Sequence, residues 1–146
     1  MVPAAFAGRE DLIFRDARSD FSEEFSNSRI TDAQAFGEDK IAALTDNGVL
    51  WQYNRDSGDF EKVAEDVAAF DGSYYALAYI KENGSLWIDD EDVKPADGVT
   101  LQTENGYRKV MEDVVSLSYD RDTGFAVDKD GKAWFWGDAV SEMWVP

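Results

Sequence analysis

The apolar positions of this chain come in short runs, each broken by an amide or acid followed by glycine. Ala42-Ala43-Leu44 precedes Asn47-Gly48, Ala76 to Ile80 precede Asn83-Gly84, and Phe125 to Val127 precede Asp130-Gly131. Runs this short end before a helix could close several turns, so they predict antiparallel strands. Asn-Gly and Asp-Gly tolerate positive φ at both central positions of a type I′ turn, and each pair predicts a two-residue hairpin of that type. Tryptophan follows each turn, in Leu50-Trp51, Leu86-Trp87 and Trp134-Phe135-Trp136. Neighbours on a strand face opposite ways, so leucine beside tryptophan asks for burial on both sides of the sheet. Alanines at 42, 43, 76 and 78 allow a neighbouring sheet to approach, and the tryptophans, Trp134 and Trp136 included, are expected to wedge the widening gap between radially stacked sheets.

The pattern is an internal repeat. Ala42, Gly48, Leu50 and Trp51 recur 36 residues later as Ala78, Gly84, Leu86 and Trp87. Lys62-Val63, Glu65-Asp66-Val67 and Trp87 recur 47 residues later as Lys109-Val110, Glu112-Asp113-Val114 and Trp134. Several separate positions share one displacement, and the insertions fall in polar stretches such as "DDEDVKPADG", where loops absorb them. The expected organisation is a leader and capping segment over 1–29, then a repeat domain over 30–146 with repeats near 30–61, 62–108 and 109–138. Phe14, Phe21 and Phe25 are spaced seven and four apart, compatible with one face of a helix beginning near Ser19, while Leu12 to Phe14 could instead form a short strand. The reading adopted is a strand followed by a helical or irregular turn. Met143 and Trp144 are expected over an exposed edge.

"VVSLSYDRDTGFAVDKDGKAWFWGD" resembles the repeat of the RCC1-like (regulator of chromosome condensation) β-propeller family: a valine-rich strand, a small and apolar strand, a D-G turn, then G-x-x-W-x-W-G. Gly131, Trp134, Trp136 and Gly137 fit that motif. The other copies depart from it, since Trp51 is followed by Tyr53-Asn54 and Trp87 by Asp89-Asp90. The resemblance covers roughly residues 30 to 138. It implies an all-β array of about three antiparallel blades with hairpins at Asn47-Gly48, Asn83-Gly84 and Asp130-Gly131. Propellers close with four to eight blades, so the array is incomplete or is completed by an oligomer. The resemblance also implies a stable platform whose loops hold a partner.

Composition narrows the function. The 146 residues include 31 acidic and 14 basic ones, a formal charge of −17, which repels phosphate backbones and anionic membrane surfaces. With no cysteine and no histidine there is no disulfide, thiolate nucleophile or imidazole base, and the usual zinc and haem ligands are missing. No P-loop or dinucleotide fingerprint appears, and no apolar run approaches the roughly 18 residues of a membrane span. At the N-terminus, Ala5-Phe6-Ala7 before Gly8 has the small-x-small pattern of a signal-peptidase site and reads equally as a short disordered leader.

The acidic clusters invite chemical readings. Asp120 and Asp122 in "DRDTG" and Asp128 in "DKDG" are hard oxygen donors of the kind calcium takes, but the full spacing of an EF-hand loop is absent, and solvated loop or turn positions explain them. Asp89, Asp90, Glu91 and Asp92 read as a solvated loop. Paired carboxylates can hydrolyse glycosides, so Asp89 and Glu91 are the first positions to substitute under a carbohydrate-active reading. Tyr74, Tyr75, Tyr107 and Trp144 lie outside the repeated positions and are candidates for an aromatic contact surface, with packing between blades as the alternative. The expected function is a non-catalytic protein-interaction or scaffold module of a bacterial exported or surface protein. Its partner is another protein or a second copy of itself, with no cofactor, no metal, no direct nucleic-acid contact and no membrane insertion. Two alternatives stay open: an acidic mimic occupying the basic groove of a nucleic-acid-binding protein, and a carbohydrate-binding or carbohydrate-active protein. A cytoplasmic location is the alternative to export.

Overall fold

The computed structural model describes residues 14–37, 40–74, 76–121 and 123–137. Twelve strands in these residues form three antiparallel sheets. Blade 1 contains β1 (Ile30–Phe36), β2 (Lys40–Thr45), β3 (Leu50–Asn54) and β4 (Asp59–Ala64) in sequence order. Blade 2 orders its strands β5 (Val67–Gly72), β6 (Leu77–Lys81), β7 (Leu86–Ile88), β9 (Tyr107–Met111) and β8 (Thr103–Glu104). Blade 3 contains β10 (Val114–Asp120), β11 (Thr123–Asp128) and β12 (Ala133–Gly137). A 3-10 turn at Arg18–Asp20 and the one-turn helix α1 (Glu23–Ser26) precede them.

The three hairpins stand where the turn chemistry places them, but they are not of type I′. In each, the glycine N–H donates to the carbonyl three residues back: Gly48 to Thr45 at 3.0 Å, Gly84 to Lys81 at 2.8 Å and Gly131 to Asp128 at 3.0 Å. A second bond closes the strand ends, from Thr45 N–H to Val49, Lys81 to Ser85 and Asp128 to Lys132. This is a three-residue loop: a type I turn followed by a bulge glycine at φ of +80°, +86° or +82°. Only the glycine needs the left-handed region, so Asn47, Asn83 and Asp130 avoid the cost of placing a Cβ there.

Leu50 and Trp51 are both buried, on opposite faces, as are Leu86 and Trp87. Leu50 joins Ala42, Leu44 and Val63 against Val67, Phe70, Leu77, Tyr79 and Trp87 of blade 2. Leu86 joins Ala78, Ile80 and Ile88 against Val114, Tyr119 and Ala126 of blade 3. Ala42, Ala78 and Ala126 are fully buried at these joints, where the absence of a larger side chain lets the sheets close. The first strands of the blades also touch: Gln34 Nε2 donates to the Gly72 carbonyl at 2.8 Å, and Tyr119 N–H to Asp71 Oδ2 at 2.8 Å.

Trp51 faces the other way, into a cluster with Ala43, Val49 and Phe60 that Phe21 and Phe25 cover. The Phe25 ring stacks on Phe60 at 4.1 Å and meets Trp51 edge-on at 5.4 Å. Phe14 does not share that face. It is fully exposed and outside any strand or helix, and α1 is too short to carry all three phenylalanines on one stripe. Leu12, Met143 and Trp144 lie outside the described residues.

Candidate functional site

Each joint between blades has a forward flank and a rear flank, and the repeat assigns residues to both. Ala42 and Leu44 of blade 1 correspond to Ala78 and Ile80 of blade 2, and these to Phe125 and Val127 of blade 3. The first two pairs are buried beneath the following blade. Phe125 and Val127 are only half-buried, together with Phe135, the counterpart of Ile88. Phe125 and Phe135 are paired across β11 and β12, ring edge to ring face at 4.7 Å. Val115, on the first strand of this blade, is 63% exposed.

Backbone hydrogen bonds lock each joint. The Gly48 carbonyl accepts the Val67 N–H at 2.9 Å, and the Gly84 carbonyl accepts the Val114 N–H at 2.9 Å. Asp66 and Asp113, just before those valines, adopt φ of +57° and +59°. Their carbonyls accept the Glu82 and Lys129 N–H groups at 2.8 Å, which ties each strand start to the hairpin of its own blade. Gly84 is needed for approach as well as for the turn, since a methyl group there would crowd the Asp113 Cα at 3.3 Å, whereas one on Gly48 would reach only ordinary contact, 3.5 Å from the Val67 carbonyl oxygen. On Gly131 it would meet nothing within 4 Å, and the Gly131 carbonyl has no backbone partner among the described residues. Blade 3 thus presents the apolar flank and the acceptor of a joint with no following blade described on it.

Human WBSCR16 matches this arrangement with a TM-score of 0.58 at 15% identity, over 76% of this chain and 33% of that one. Prp20p from Saccharomyces cerevisiae matches with a TM-score of 0.55 at 14% identity, over 76% of this chain and 31% of that one. The fold is that of an RCC1-like β-propeller, in part. The N-terminal domain of Nup159 matches at 0.50 with 14% identity, over 75% of this chain and 28% of that one. The chain spans about a third of the length of these structures. No family model matches its sequence, and no curated protein matches it. Identities this low establish architecture alone.

On these propeller blades the residues singled out from sequence are scattered. Tyr74 is half-exposed beyond the end of β5. Tyr107 is buried between blades 1 and 2, where its hydroxyl donates to Gln52 Oε1 at 3.2 Å and its ring lies 5.1 Å from Tyr79. Burial pushes its phenol pKa upward. Tyr107 is therefore packing and forms no surface with Tyr74, because the β8–β9 hairpin folds it inward against blade 1. Tyr75, Trp144 and Asp122 lie outside the described residues.

Asp120 is exposed, whereas the Asp128 carboxylate closes its own turn. It accepts N–H groups from Asp130 and Lys132 at 2.9 Å through Oδ1 and the Trp134 indole N–H at 2.9 Å through Oδ2. The indole bond first, then the backbone ones, hold its pKa below the usual carboxylate value. Among the described residues no group of three acidic side chains converges as a metal site would require.

Trp134 and Trp136 take different roles. Trp136 packs against the blade 2 cluster with Tyr119 at 5.5 Å. Trp134 is 41% exposed and not the buried wedge expected from its position, because β12 has no outer neighbour among the described residues, whereas β7 is flanked by β9. Glu91 is exposed, and its carbonyl accepts from Arg108.

Asp89 is partly buried, and its Oδ1 accepts the Leu77 N–H at 2.8 Å. Burial raises its pKa above the usual value. The folded state then binds this proton more tightly than the unfolded chain does, so the contribution is present in acid and lost as pH rises through the folded pKa. Asp89→Asn keeps an acceptor for Leu77. We expect it to raise the urea midpoint at pH 7 and the advantage to vanish by about pH 4, where the free carboxyl is itself half protonated. A variant less stable than the parent at pH 7 would contradict this.

The sequence reading missed the Gly131 carbonyl, because every residue has one. Its signal was the repeated Glu-Asp-Val, which marks where each strand receives the preceding turn.

Proposed function

We propose that this chain is a non-catalytic protein-interaction module that binds through the forward flank of blade 3. The observation that carries the reading is the apolar set Phe125, Val127 and Phe135 beside the Gly131 carbonyl, which has no backbone partner among the described residues, whereas the matching Ala42 and Leu44 of blade 1 and Ala78, Ile80 and Ile88 of blade 2 lie buried under the blade that follows. A protein edge supplies both things this flank lacks, an apolar face and a backbone N–H donor. Propeller relatives in fold offer a precedent: Prp20p has binding properties toward Gsp1p and histones, and yeast RCC1 (Prp20) is bound by Kap60. Export remains supported only by the Ala5-Phe6-Ala7 pattern.

A photo-crosslinking amino acid at Val127 tests the reading in cells that make the full chain. The expected result is one dominant protein adduct, identified by mass spectrometry, whose binding is lost on Phe135→Asp. The same crosslinker at Ile80, in the covered joint, serves as the internal control and should yield only links within the chain. Absence of any protein adduct at Val127 would end the proposal.

A further inference from the structure

We infer that the occupant of the blade 3 flank is blade 1 of a second copy of this chain, so that two copies close one ring. The inference rests on the reading above and names its partner.

The rear flank of blade 1 is the natural counterpart. Ile30, paired with Thr45 as Val67 is with Lys81 and Val114 with Asp128, corresponds to the residues whose N–H groups enter the two joints already present. The Arg29 carbonyl accepts the Asp46 N–H at 2.9 Å, as Asp66 and Asp113 accept from Glu82 and Lys129, so the start of β1 is built like the start of a following blade. Phe21 and Phe25 cover the outer part of this flank, over Trp51 and Phe60. Its inner part is a groove of about 640 Å³, uncovered among the described residues, whose lining includes Ile30, Ala33, Ile41 and Arg29. Ile41 is 41% exposed there.

Charge selects the pairing. In the joint between blades 2 and 3, the Gly84 turn lies against Asp113. A second copy docked in the same way brings Asp130-Gly131 against Arg29-Ile30. An acid at position 29, as at 66 and 113, would repel Asp130 there, and an arginine stands in its place. No ion pair involves Arg29 or Asp130 among the described residues. The Gly131 carbonyl then accepts the Ile30 N–H, and Phe125 and Val127 meet Ile30, Ala33 and Ile41. Two copies of the three described blades give six, within the four to eight that close a propeller, and the two joints are related by a twofold axis.

Light scattering and sedimentation of the full chain test this, with Arg29→Glu, Asp130→Arg and the two together. Both side chains are exposed, so each variant should still fold, with an unchanged circular dichroism spectrum. The expected result is a dimer that each single reversal weakens by roughly tenfold or more and that the double reversal restores. A monomer at all concentrations, or a dimer indifferent to either reversal, overturns the second copy as occupant. If the chain is a monomer yet the Val127 crosslinker captures a different protein, the interaction module stands and this inference alone falls.

Discussion

Trp87→Ala is expected to lower the stability of the chain by about 4 kcal/mol, the middle of the range for removing a buried aromatic ring. Trp87 is 5% exposed and lies in the joint between blades 1 and 2. Its ring is parallel to that of Tyr79 at 6.2 Å, its N–H donates to Ser85 Oγ at 2.8 Å, and the Lys81 ammonium stands 5.0 Å above it. Lys81 is itself fixed by Glu104 at 2.8 Å, so the ring is closed in on every side and little can collapse into the space it leaves. Domains of this size hold roughly 5–15 kcal/mol in all, and a loss of that size should shift the urea midpoint by about 2 M or more. Trp134 holds the same place in the next repeat but is 41% exposed, so Trp134→Ala should cost less than about 1.5 kcal/mol. Equal losses at the two positions would mean that the repeat motif, and not burial, sets the energy.

That contrast shows what was legible in the sequence. Pairs such as Leu50-Trp51 demanded two covered faces from period-two geometry alone, and the turns fell at Gly48, Gly84 and Gly131, because both signals are local. The type of turn was not legible, since Asn-Gly serves either a two-residue or a three-residue loop and the difference lies in which hydrogen bonds close around it. Exposure at Trp134 and burial at Tyr107 were not legible either. Both depend on which strand ends up beside which: β12 is left as an edge, and β8–β9 folds back on blade 1. The candidate flank was legible as residues but not as a site. Phe125 and Val127 repeat positions that are buried in both preceding blades, Phe135 repeats the buried Ile88, and the lack of a following blade among the described residues sets them apart.

Gly124→Ala is expected to detach blade 3 from blade 2, at a cost of about 3 kcal/mol, the upper end for overpacking. Gly124 pairs with Trp136 across β11 and β12, and the indole lies directly over it. A methyl group on Gly124 would overlap the ring at Cε2 and Cζ2. The backbone is held by β10 on one side and β12 on the other, so the ring must move, and its contacts with Tyr119 and the blade 2 cluster go with it. Backbone strain is not the cause, since Gly124 has no positive φ. Gly106→Ala supplies the control: with φ at +83° and nothing within 4 Å, it should cost only about 1 kcal/mol for a left-handed Cβ. Urea unfolding followed by tryptophan fluorescence, with amide exchange across β10 to β12, measures both. The decisive variant adds Trp136→Ala to Gly124→Ala. With the ring gone the methyl group has room, and the double variant should be more stable than the sum of the single losses predicts. Strict additivity would show that the ring and the glycine do not compete for one space.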